Sequence, residues 1–63
     1  METAEIIEKL KKEGYTLHVI AKQSGVAYMR IYRHFNDGAR LDDAEHSAIK
    51  AFAFVQPCFT RRG

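Results

Sequence analysis

Along the first dozen residues, apolar side chains recur at Ile6, Ile7 and Leu10 among lysines and glutamates. Spacings of three and four put these on one stripe of a helix, predicted over residues 3–13. Thr3 stands where a cap belongs, Glu5 falls in the first turn, and lysines gather towards the end, as the helix dipole favours. Leu17, Ile20, Ala21 and Ser24 repeat the pattern over residues 17–24, with Thr16 as cap and Gly25 as terminator. A third helix is predicted over residues 27–36, where Ile31 and Phe35, one turn apart, form the inner edge. Asn36-Asp37-Gly38 reads as a turn. Asp42, followed three residues later by Glu45, makes an acidic capping box for a fourth helix over residues 43–56. Ala48, Phe52 and Val55 share one of its faces, and Pro57 should end it at or before Gln56. The alternation in "KAFAFVQ" also fits a short strand, and "PCFTRRG" reads as an extended tail. The expected architecture is all-α, four helices in one domain spanning residues 1–63.

Composition narrows the function more by exclusion than by assertion. A chain of 63 residues buries only about 60% of its unfolded surface, which leaves little room for an enclosed active-site pocket. Cys58 is the single cysteine, so no internal disulfide is expected and a reducing cytoplasm suits the chain. "METAEIIEKL" lacks a signal-peptide pattern, and no apolar run approaches the roughly 18 residues of a membrane span. His18, His34, His46 and Cys58 have no compact zinc spacing, and nothing orients a thiol–imidazole pair. Neither an enzyme nor a metal or other cofactor is expected. The net charge of +2 is uneven. Residues 14–41 hold Lys22, Arg30, Arg33 and Arg40 against Asp37, whereas both flanking segments are neutral or slightly acidic. A basic middle favours polyanions.

That basic middle contains two short helices, a glycine turn and a polar second helix, the plan of a DNA-binding helix-turn-helix. Gly25 tolerates the positive φ a sharp turn needs, and Val26 is placed to plug the angle between the helices. The stretch "TLHVIAKQSGVAYMRIYRHFN" (Thr16 to Asn36) resembles the headpiece of the lactose repressor family in Thr16, Leu17, Ala21, Gly25, Val26, Tyr28, Arg33 and Asn36. "IYRHF" (Ile31 to Phe35) is similar to the end of the recognition helix in tetracycline-repressor-type regulators. What remains of the chain is too short for either family's effector domain, so the overall plan looks more like a small phage or mobile-element regulator of the Cro type. Two departures stand out. Ala27 replaces the usual hydroxyl cap of the third helix, and Met29 sits where the lactose family commonly has a polar base reader.

Helix geometry sorts the third helix independently of family. At about 100° per residue, Met29, Arg33 and Asn36 lie about 140–200° from Ile31 and point outward. Arg33 is the foremost candidate for a base contact, since its fork matches guanine O6 and N7, and Met29 could press on a thymine methyl. Tyr28 begins the helix, where the resemblance implies a base contact, although about 60° from Ile31 leaves packing as a rival. Asn36 completes the base-facing set. Phosphate contacts are expected from Thr16 and Leu17 at the start of the second helix and from Lys22, Gln23, Arg30 and Arg40. The tetracycline-type resemblance adds weight to Tyr32 and His34 in that role. Ile20, Ala21, Ile31 and Phe35 are assigned to the core.

Phe52 and Phe54 sit about 200° apart on a helix, which one small core does not easily absorb. With Val55 and Phe59 they mark residues 48–63 as the expected dimerisation segment. A homodimer would carry two recognition helices about 34 Å apart and read a palindromic operator. The expected partner is double-stranded DNA, with a repressor's role and no small-molecule effector evident. The competing expectation is a protein-binding adaptor, docking on polymerase or another regulator through its aromatic end.

Overall fold

The computed structural model of the chain describes residues 2–60. In chain order these form α1 (Thr3–Lys12), α2 (Leu17–Ser24), α3 (Tyr28–Asp37), α4 (Asp43–Ala53) and a short α5 (Pro57–Thr60). The all-α expectation stands, with one helix more than the hydrophobic pattern announced. Residues 61–63, the end of the expected dimerisation segment, lie outside the described residues.

The core follows the predicted stripes in the first three helices. Ile6, Ile7 and Leu10 from α1, Ile20 from α2 and Ile31 from α3 are fully buried, with Leu17 and Ala21 nearly so. Each such aliphatic side chain contributes roughly 1.5–3 kcal/mol by leaving water. Val26 in the α2–α3 turn and Leu41 before α4 close the same cluster. Phe35 packs only partly against it, with the Lys11 ammonium 4.8 Å from its ring centroid. α4 lies against α1 and α2, while α3 leans on α2 and α1.

Helix ends show where local chemistry was read correctly and where it was not. Thr16 caps α2, its hydroxyl accepting the Val19 N–H at 3.1 Å. Gly25 closes α2 at φ +78° and Gly38 closes α3 at φ +72°, a region that penalises any residue with a Cβ. The capping box of α4 forms, with Asp42 accepting from the Glu45 N–H at 2.8 Å and the Asp42 N–H donating to Glu45 at 3.0 Å. Thr3, by contrast, is not the cap of α1. The helix begins one residue earlier in its capping, at Glu2, whose N–H donates to the Glu5 carboxylate at 3.1 Å. Thr3 is thereby turned inward, 2% exposed, and shares a 2.6 Å hydrogen bond with His46 Nδ1 of α4.

The far end of α4 also differs from expectation. α4 stops at Ala53, three residues before Gln56. Gln56 precedes a proline, which disfavours helical backbone there. Its side chain instead stitches the end, donating to the Phe52 carbonyl at 3.0 Å and accepting from the Tyr15 hydroxyl at 2.9 Å. Pro57 then occupies the first position of α5, which its fixed φ and missing N–H suit. Neither the strand alternative nor the extended tail is present among the described residues. The buried face of α4 is centred on Ile49 and Ala53, both fully enclosed, with Ala48 and Phe52 partly buried beside them and Val55 left out. Because the helix ends early, Val55 falls in the turn and is 70% exposed.

Candidate nucleic-acid interface

α2 and α3 are joined by Gly25, Val26 and Ala27 alone, and Val26, 6% exposed, fills the angle between them. This holds α3 as an outer helix with one side on the core and the other open. Ile31 faces inward, while Met29, Tyr32, Arg33 and Asn36 are exposed. A helix of ten residues spans about 15 Å at 1.5 Å per residue, a length that lies along the major groove.

Each predicted contact residue can now be placed. Arg33 is exposed on α3 and, with Met29, Arg30, Ala39 and Arg40, lines a surface hollow of about 180 Å³. Among the described residues neither Arg33 nor Arg40 is paired with a carboxylate. Tyr28 is half-buried, its ring stacked on His18 with centroids 4.0 Å apart and planes within 1°. Tyr32 continues that row, tilted on Tyr28 at 5.9 Å. Packing and presentation therefore coexist at Tyr28: one face is covered by His18 and the ring remains at the surface seam of α2 and α3. Asn36 is exposed, but its amide donates back to the Tyr32 carbonyl at 3.0 Å.

Two expected phosphate contacts are otherwise engaged. Arg30 turns its fork onto Glu45 of α4: Nε donates to Oε2 at 2.7 Å and Nη2 donates to Oε1. The cause is the placement of the start of α4 beside the first turns of α3, which no pattern in either helix reveals. This pairing holds the Glu45 carboxyl at about 2, the Arg30 hydrogen bond being the main cause and the Asp42 N–H the next, and raises Arg30 further above its already high value. His34 is half-buried and turned towards α4. Its Nδ1–H donates to the Ala39 carbonyl at 2.7 Å, which fixes the proton on that nitrogen, and its ring meets His46 edge-on at 5.5 Å. His34 thus braces the α3–α4 connection rather than facing outward.

On α2, the Thr16 oxygen accepts the Val19 N–H and keeps its own O–H as a donor, while the Leu17 side chain is buried, 8% exposed. Towards a phosphate the pair offers that O–H and the first-turn N–H groups that lack partners inside the helix. Lys22 and Gln23 are exposed on the same helix. His18 was not singled out from the sequence. Its stacking on Tyr28 joins positions ten apart across a turn, beyond the reach of helical periodicity.

The aromatic end divides in two. Phe52 packs against the core and meets Tyr15 edge-on at 5.9 Å. Phe59 is partly buried, with Lys9 4.9 Å from its centroid and Phe54 edge-on at 5.3 Å. Of the residues assigned to self-association, only Phe54 and Val55 are exposed. Among the described residues no group of three or more His, Cys, Asp or Glu side chains could hold a metal ion, and no helix is long and apolar enough to cross a membrane. No family model, curated protein or solved structure matches the chain.

Proposed function

We propose that this protein is a sequence-specific regulator that binds double-stranded DNA, laying the outward side of α3 in the major groove. The observation that carries the reading is the division of α3: Ile31 is sealed in the core while Met29, 51% exposed, and Arg33 stand open on the other side. An unpaired guanidinium at the centre of that open side is free to meet a base edge. Arg33 acts as the base reader, with Tyr28, Met29 and Asn36 beside it. Arg40, Lys22, Gln23, Tyr32 and the first N–H groups of α2 supply phosphate contacts, which orient the domain without selecting sequence. The reading requires no cofactor and no catalysis. Repression by occupying a palindromic site as a dimer is its simplest form.

Selection of bound duplexes from a random pool tests this directly, since a recovered consensus reports sequence preference and any two-fold symmetry. Arg33→Ala should cost roughly 1–3 kcal/mol of discrimination at one base pair, read as a flattened consensus there. An unchanged preference and affinity would remove Arg33 from its role. The exposed Phe54 and Val55 favour a second reading, a protein-binding adaptor. With about five phosphate contacts, direct binding gives a log–log salt slope near −4.5, whereas an adaptor shifts no duplex at any salt.

A further inference from the structure

The hollow beside α3 is walled by three guanidinium side chains, Arg30, Arg33 and Arg40, over Met29 and Ala39. Three like charges around one concavity repel one another and attract a polyvalent anion. They are not equivalent, however. Arg30 is held by both oxygens of Glu45, whose side chain is 17% exposed against 49% for Arg30. Glu45 Oε1 also accepts the Asp42 N–H at 3.0 Å, so the carboxylate is tied to its own backbone at the start of α4 as well as to the arginine. Arg30 is thereby neutralised in place, while Arg33, turned to the base edges in the reading above, and Arg40 have no carboxylate partner among the described residues.

We propose that this hollow is a seat for one phosphate group of the duplex backbone, gripped by Arg40, and that Glu45 sets its strength by withholding Arg30. The inference rests on the DNA-binding reading above and assigns Glu45 a part in specificity although it touches no DNA. The logic is one of charge. Binding to arbitrary sequence is driven by phosphate neutralisation, so each cation released into the seat strengthens wrong sites and right sites alike. Keeping one of the three cations in an internal pair limits that indiscriminate part and leaves the base contact of Arg33 to decide the site.

The test uses the full chain, with salt titrations on a random-sequence duplex. Glu45→Gln keeps a side-chain oxygen for the Asp42 N–H but frees Arg30. It should steepen the log–log slope by about 0.9, equivalent to roughly eightfold tighter random-sequence binding at about 0.1 M salt relative to 1 M. The double change Arg30→Gln with Glu45→Gln, neutral like the native pair, should return the slope to the wild-type value. Arg40→Gln should make it shallower by about 0.9. In parallel, inorganic phosphate titrated into the unaltered protein should move the Arg40 Nε–H resonance and leave that of Arg30 in place, a readout that survives even if a variant folds poorly. Duplex binding with no steeper slope in Glu45→Gln, or a double variant shallower than wild type by one contact, overturns the inference and leaves the DNA reading standing. Movement of Arg40 by phosphate without any duplex binding keeps the seat and removes the DNA reading. If phosphate leaves Arg40 in place and no duplex binds, both fall.

Discussion

Glu45 illustrates how much one side chain carries in a domain of this size. It closes the capping box of α4 and neutralises Arg30 of α3, tying the two helices together. Its carboxyl, held at about 2 against an ordinary 4.5, makes that tie dependent on pH. A depressed carboxyl stabilises the fold fully above its unfolded value and loses that contribution as pH falls towards its folded value. Thermal stability should therefore drop between about pH 4.5 and about pH 2, and Glu45→Gln should flatten that part of the profile. An identical profile in both proteins would show the fork to be idle in solution. The capping half of this role was legible as Asp42 followed three residues later by Glu45. The Arg30 half was not, because positions 30 and 45 meet only once α4 has folded back. Thr3 misleads for the same reason, its cap reading displaced by His46 of α4, while His34, read as a phosphate ligand, is turned onto the Ala39 carbonyl ahead of α4 with its ring against His46.

Among the elements, α3 lacks the side-chain cap that α2 and α4 possess. Ala27 occupies its cap position with φ −58° and ψ 136°, an extended geometry already suited to a cap, yet it offers no side-chain acceptor. Ala27→Ser should stabilise the domain by about 1 kcal/mol. In a domain of this length that corresponds to a rise in Tm of about 4–8 °C, measurable by circular dichroism. No rise would mean that the first N–H groups of α3 are already satisfied by water at no net cost. The existence of α1, α2, α3 and α4 was readable from apolar spacing because each stripe repeats within one element. The early end of α4 was not. Alternating Ala and Phe residues continue its pattern to Val55, while the decisive contact, Gln56 between Tyr15 and the Phe52 carbonyl, crosses 41 residues of chain.

At the scale of the molecule, self-association is the open quantity. A stable dimer of standard size hides about 800 Å² on each partner, set against the 4335 Å² accessible on this chain. Phe54 and Val55 cannot supply that alone, so a dimer built here must also cover the outer edges of Phe59 and α5. Val55→Asp should leave the fold intact, because the side chain is 70% exposed, and convert a micromolar dimer to monomer in sedimentation. Wild-type protein that sediments as a monomer with and without DNA would remove the symmetric operator from the proposal. The open side of α3 would be untouched by that result, since its exposure comes from packing within one chain.

The order of apolar and polar positions by itself determined that this protein is helical, that α2 and α3 meet across a glycine turn, and that Met29, Arg33 and Asn36 share a side opposite Ile31. These are properties of one helix at a time, governed by a rotation of about 100° per residue and by which residues tolerate positive φ. Only the tertiary structure decided which cations stay free, that Arg30 and His34 are turned onto neighbouring groups, and that α4 ends at Ala53 with α5 following a turn. Ion pairs, ring stacking and long-range hydrogen bonds join positions far apart in the chain. Their geometry exists only after the core has brought the helices together.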